Sequence, residues 1–194
     1  MNSKPVELME LIKRIIKYTL CIITATRNRV RHFRVSLNCK KIGKGSRLGA
    51  RLILSGNHLQ IGDHFSCNWD CRIVAANVPL DIGDYVVFGH HVDVAAGPHG
   101  YIKIGDRTSI AQFVVLRNCS HEYKDSNRPI QEQGHTSGTI DIGEDCIIST
   151  SCVILPNTQL GKGCVIGAGS ILSGNYPDYS ILMGNPARVI GTRK

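Results

Sequence analysis

Aliphatic residues recur along the chain with a step of six. Each unit opens on Ile or Leu, often continues with Gly, passes two polar positions and then takes a small or β-branched residue. Ile42-Gly-Lys-Gly-Ser46, Ile61-Gly-Asp-His-Phe65, Ile82-Gly-Asp-Tyr-Val86 and Ile104-Gly-Asp-Arg-Thr108 follow this form. So do Ile142-Gly-Glu-Asp-Cys146, Leu160-Gly-Lys-Gly-Cys164 and Ile166-Gly-Ala-Gly-Ser170. Phase is kept over positions 142, 148, 154, 160, 166 and 172, a run too long for chance. Such a period predicts an all-β solenoid of short flat strands, with glycine supplying a permissive backbone at the corners. The first and fifth residues of each unit point inward, and three units close one triangular coil. Stacked coils pair their backbones about 4.8 Å apart.

Breaks in the phase mark loops, and insertions in a repeat protein gather on one face. From Ile82 to Ile104 the interval exceeds three units by four residues, near Ala95–Tyr101. A larger break, 117–139, is polar and holds His121 and His135; loops of this length in a compact domain are usually functional. Before the coils, Val6 to Ala25 has apolar residues at 8, 11, 12, 15, 16, 20, 22 and 23, the spacing of an amphipathic helix. Two compatible readings follow: a cap packed on the open end of the solenoid, or an interfacial membrane helix with basic flanks. The expected organisation is an N-terminal helical, basic segment (1–37), a solenoid (38–175) with the loop 117–139 inserted, and a closing tail (176–194).

A chain of 194 residues fits one good-sized domain, and 42% hydrophobic with 20% charged residues excludes general disorder. Aromatics, at 6%, are scarce, as a core of stacked aliphatic columns requires. No run of 18 apolar residues is present, so no transmembrane helix is expected. The net charge of +8 is unevenly placed. Residues 1–51 carry 13 Lys and Arg against Glu7 and Glu10, whereas the rest of the chain carries 10 bases against 13 acids. A basic, aliphatic end suggests an anionic surface as partner. Nucleic acid is not expected, because aromatics do not interleave with the basic run and no recognition motif is present. Of the eight cysteines, Cys71, Cys146 and Cys164 fall at the small fifth position of the repeat. This predicts small buried hydrophobes and reduced thiols in a cytoplasmic protein. Lys13, Arg14 and Lys17 interrupt the apolar stretch that a signal peptide would need.

These repeats resemble the hexapeptide-repeat acyltransferases. The resemblance covers residues 38–175 and implies a left-handed parallel β-helix that forms a homotrimer; handedness comes from the resemblance alone. Ile166-Gly-Ala-Gly-Ser170 followed by Met183-Gly-Asn-Pro-Ala-Arg-Val-Ile190 is similar to the ending of the acetyl-CoA-dependent branch that includes sugar and polysaccharide O-acetyltransferases. Asn118-Cys-Ser-His121 resembles that branch's catalytic histidine motif, and Gln133-Gly134 with Gly138-Thr-Ile140 its return to the helix. Carried over by position, the resemblance makes His121 the general base that takes a proton from a sugar hydroxyl during attack on the thioester. It places acetyl-CoA in a groove between subunits, lined by Thr150, Ala168, Ser173 and Arg188, with Arg193 or Lys194 near the nucleotide phosphates. His91, Asp93 and His99 are candidates for acceptor contacts, with His90 beside them, and no metal is required. Where many relatives have Trp, this chain has Ile147, which puts acceptor type and CoA positioning in question.

The expected activity is transfer of acetyl to a sugar hydroxyl in surface polysaccharide or lipopolysaccharide synthesis. The expected setting is the cytoplasm, at the inner face of an anionic membrane. A free sugar or xenobiotic acceptor is the alternative within the class. A covalent route through Cys119, a γ-carbonic-anhydrase-like zinc site drawn from His90, His91, His99 and His121, and a non-catalytic scaffold are the outlying readings.

Overall fold

The computed structural model describes residues 4–194, and its coils follow the six-residue phase. On the first face, Leu54 pairs with Ile73, Ile73 with Val94, Val94 with Leu116, Leu116 with Ile154 and Ile154 with Leu172, all in parallel register. The second face stacks Ile42, Ile61, Ile82, Ile104, Ile142 and Leu160 in the same way. The third stacks Cys67, Phe88, Ile110, Ile148, Ile166 and Leu182. Strands Ile53–Ile61 and Val153–Leu160 run from the first face round into the second and join them in one sheet. The last coil strand, Ser180–Gly184, lies beyond residue 175, and Ala187–Thr192 folds back on it antiparallel.

The repeat glycines work differently from the sequence reading. The residue in the left-handed region at these corners is the fourth of the unit: Gly45 (φ 70°), His64 (57°), Tyr85 (57°), Arg107 (56°), Asp145 (56°) and Gly163 (65°). The glycine at the second position is required by the approach of the next coil instead. A Cβ on Gly43 would lie 2.2 Å from the Gly62 carbonyl carbon, one on Gly105 would lie 2.5 Å from the Glu144 nitrogen, and one on Gly143 would lie 2.6 Å from the Lys162 nitrogen. The aspartate that follows stitches the corners together. Asp84 accepts the Asp63 N–H at 2.7 Å, and Asp106 accepts the Asp84 N–H at 2.8 Å. A left-handed non-glycine residue costs about 1–2 kcal/mol, and these inter-coil hydrogen bonds offset it.

Where the small fifth position is polar, its side chain has a partner in the next coil. Thr108 donates to the Gly143 carbonyl of the next coil at 3.0 Å, and the thiols repeat this geometry. Cys71 donates to Gly89, Cys146 to Gly161 and Cys152 to Gly167, each at 3.1–3.3 Å. Phe65 departs from the rule: it is fully buried and meets Phe88 edge-on at 5.2 Å. Burial pushes the Cys146 thiol up to about 12 and raises Cys152 and Cys164 as well, so these sulfurs stay protonated and unreactive. Cys146, Cys152 and Cys164 are therefore expected to resist Ellman's reagent at pH 8 in the folded protein and to react on unfolding. Site-by-site labelling read by mass spectrometry checks this, and rapid modification of any of the three before unfolding would contradict the packed coil.

The N-terminal helix, α1 (Lys4–Ser36), is longer than the 6–25 expected. Its contacts with the solenoid come at its C-terminal end. Arg31 donates to the Leu48 carbonyl at 3.1 Å, Val35 packs on the core, and the Cys39 thiol donates to the Val35 carbonyl. A cavity of about 220 Å³ between this end and the first coil is lined by Arg31, Val35, Leu48, Gly49, Arg51 and Leu52. Towards the N-terminus the described side chains are exposed, including Met9, Ile12, Ile15, Ile16, Ile22 and Ile23. The capping role is thus confined to the last turns of the helix. No helix among the described residues is long and apolar enough to cross a membrane.

Candidate active site

One corner, between the first and second faces, takes up all the added chain described below. It holds Gly56–His58 as a bulge, the extra residues Ala76–Pro79, the turn Gly97–Gly100 and the long insertion after Arg117, whereas the coil at Pro156–Asn157 turns there without addition. The long insertion is a hairpin rather than an open loop. Cys119–His121 pairs antiparallel with His135–Ser137, and His121 stands directly opposite His135 with ring centroids 4.4 Å apart. Both histidines are exposed.

Two residues hold this hairpin in place. Asn118 is fully buried, its Oδ1 accepting the Gly97 N–H at 2.6 Å. Its Nδ2 donates to the carbonyls of His99 (3.0 Å) and Gly138 (3.1 Å). It thus bolts the smaller turn to both ends of the larger one. At the tip, Gln133 donates to the carbonyls of Asp125 (2.8 Å) and Arg128 (2.9 Å) and accepts the Asp125 N–H at 3.0 Å. Sequence reading quoted both residues only as parts of motifs. The signal that could have singled out Asn118 is its place two residues after an inward Leu116, where a buried polar side chain must find partners.

His99 shares the corner of His121, and its carbonyl is tied to the same hairpin through Asn118. His91 and Asp93 stand elsewhere. His91 lies on the corner before the first face, stacked on Phe113 at 5.0 Å. Asp93 is held between Arg72 (3.0 Å) and Arg117 (2.7 Å). His90 stacks on the half-exposed Trp69 at 3.9 Å. The three acceptor candidates therefore divide between the two ends of the first face.

Most of the candidate CoA residues gather at that same corner before the first face. Thr150 donates to the Gln112 carbonyl at 2.9 Å, and its own carbonyl accepts the Gly169 N–H at 2.9 Å, which stacks Ala168–Gly169 directly on it. Ala168 is exposed, and a Cβ on Gly169 would meet nothing within 4 Å. Ser173 is exposed on the adjoining strand, Ile171–Tyr176. Arg188 pairs with Met183, which lies against Gly167. Arg193 is set apart, at the corner between the second and third faces, where it bridges to Asp145 at 2.9 Å. Ile147 lies half-exposed on the outside of the third face. Among the described residues no group of three His, Cys, Asp or Glu side chains is clustered as a metal site.

The stack of parallel six-residue coils is the solenoid of the hexapeptide-repeat transferases. Residues 139–174 match the family model described as "Bacterial transferase hexapeptide (six repeats)", and the solenoid is of the left-handed parallel β-helix kind. Among curated proteins it is 33% identical, over 79% of its length, to a probable acetyltransferase of Mycobacterium tuberculosis, of which it spans half. It is 29% identical to a dTDP-4-amino-4,6-dideoxy-D-glucose acyltransferase of Escherichia coli, covering 82% of this chain and 81% of that protein. Among solved structures, a variant of AntD, an N-acyltransferase from Bacillus cereus, superimposes with a TM-score of 0.71 at 20% identity over 84% of this chain and 89% of that one. That structure holds dTDP-4-amino-4,6-dideoxyglucose and coenzyme A.

Proposed function

We propose that this chain transfers an acetyl group from acetyl-CoA to a hydroxyl of a sugar destined for surface polysaccharide or lipopolysaccharide, working in the cytoplasm. The observation that carries the reading is His121, presented to solvent on a hairpin whose base is locked by the buried Asn118. In the step proposed, the imidazole of His121 takes the hydroxyl proton while the sugar oxygen attacks the thioester carbonyl. The tetrahedral intermediate collapses with loss of the CoA sulfur, which receives the proton back from the imidazolium. Backbone N–H groups at the coil corners supply donors for the oxyanion. Transfer is direct, and no residue is acylated.

The same reading assigns Thr150, Ala168, Ser173 and Arg188 to the acetyl-CoA groove. The exposed Ala168 and the open side of Gly169 leave room for a pantetheine arm to run close to the backbone. Arg188 is the better placed cation for the nucleotide phosphates, because Arg193 is paired with Asp145. Within one chain His121 and Thr150 flank opposite ends of the first face, whose four-residue strands alone span about 13 Å. A homotrimer in which the hairpin of one copy meets the CoA corner of the next closes this gap.

A second reading, an amine on a nucleotide-linked amino sugar as acceptor, is favoured by the two aminosugar acyltransferase relatives. The first test is thermal unfolding with and without acetyl-CoA. A ligand at 100 times its dissociation constant is expected to add about 2.7 kcal/mol of apparent stability, and no response would end the acyltransferase reading. An acceptor panel of neutral sugars and nucleotide-linked amino sugars, followed by thiol release, then separates hydroxyl from amine.

A further inference from the structure

We infer that α1 is a membrane-surface helix whose partner is a bilayer carrying anionic lipid headgroups; the inference is independent of the acyltransferase reading. Met9, Ile12, Ile16 and Ile23 follow one another at steps of three, four and seven, so they line one side of the helix. Ile15 and Ile22 widen that side to about half the circumference. All six are exposed, from 46% for Ile12 to 59% for Met9. The opposite side carries Glu10, Lys13, Arg14 and Lys17, and of these Lys13 pairs with Glu10 at 2.9 Å.

Two further features favour lipid as the occupant. Thr19 and Thr26 donate their hydroxyls to the helix's own carbonyls, those of Ile15 and Ile22, at 2.9 Å each. Neither hydroxyl then needs water when the neighbouring surface is buried. The charge also decides between lipid and a second copy of the helix. Residues 13–34 contain Lys13, Arg14, Lys17, Arg27, Arg29, Arg31 and Arg34 and no acid. Parallel helices from two copies would bring these like charges together, whereas an anionic surface neutralises them. The broad apolar side also exceeds the narrow a/d seam of a coiled coil. An in-plane helix seats such a side about 5–10 Å into the headgroup boundary and keeps its basic side in water.

The test is co-sedimentation of the full chain with vesicles of phosphatidylcholine plus phosphatidylglycerol, beside vesicles of phosphatidylcholine alone. Binding to the anionic vesicles is expected, and the double variant Ile16→Glu/Ile23→Glu should abolish it. The triple variant Lys13→Gln/Arg14→Gln/Lys17→Gln is expected to weaken partition on the order of a hundredfold, at about one kcal/mol per charge. Because these positions are exposed, the thermal transition of the solenoid and its response to acetyl-CoA should be unchanged in every variant. Absent or headgroup-independent binding by the wild type would overturn the proposal, as would binding that survives the Glu variant. A lower sedimenting mass of the Glu variant, with vesicle binding intact, would assign the apolar side to a second copy instead.

Discussion

Replacing His121 by alanine is expected to lower the rate of acetyl transfer by roughly a hundred- to ten-thousandfold, the usual contribution of a positioned proton acceptor. A sugar hydroxyl holds its proton far too tightly at neutral pH to attack a thioester unaided, so the loss falls on the chemical step. Binding of acetyl-CoA should survive, since the groove is assigned to Thr150, Ala168, Ser173 and Arg188 and the imidazole is assigned only the proton transfer. Turnover by thiol release, read together with the acetyl-CoA thermal shift, separates the two effects. His121→Gln should be nearly as slow as His121→Ala, because an amide keeps the hydrogen-bonding shape without accepting the proton. His135 faces His121 at 4.4 Å and is the imidazole best placed among the described residues to substitute. Transfer at the wild-type rate in the double variant His121→Ala/His135→Ala would remove the hairpin from the chemistry.

The second large effect is expected at Asn118. Its side chain satisfies one N–H and two carbonyls in a place that water does not reach. Asn118→Ala leaves these groups without partners, at about 1–3 kcal/mol for each that stays buried and unpaired. A total loss near 3 kcal/mol in denaturant unfolding is expected, since the exposed parts of both turns can relax towards solvent. Transfer should fall more steeply than stability, because a displacement of about 1 Å in a reacting group costs on the order of a hundredfold. Asn118→Asp is the sharper comparison. It keeps an acceptor for the Gly97 N–H but turns a carboxylate towards the His99 and Gly138 carbonyls, so it is expected to be at least as damaging as alanine. Wild-type stability in both variants would show that the turns hold their places without this residue.

The coils were legible because an inward residue every six positions survives in the bare sequence, and the registers of Ile104 on Ile142 and Leu116 on Ile154 follow from it. What depended on contacts between coils was not legible. The unit glycine looked like a backbone hinge, yet Gly43, Gly105 and Gly143 are dictated by a neighbouring coil that no single unit reveals. The extra residues at Ala76–Pro79 escaped notice because Val78, Leu80 and Ile82 alternate like any strand and hide the shift of phase. At the site, His121 could be singled out by its motif. Its partner His135 could not, since their meeting depends on how Gln133 folds the tip between them. The helix was read too short because its apolar period fades after Ile23, although no Gly or Pro stops it before the first coil.

The crowding of added chain at a single corner has a consequence for how such a protein changes. The other two corners act as a ruler that fixes the rise of every coil, so residues inserted at the third leave all coils above and below in register. Leu116 still finds Ile154 although a hairpin stands between them in the chain. Loop closure is forgiving as well: doubling the length of a flexible loop costs only about 0.6 kcal/mol. The segment between Arg117 and Thr139 therefore behaves as a socket. Exchanging it for a hairpin of different length or tip, with Asn118 and Gly138 retained as the seat, offers a route to a new acceptor on an unaltered frame.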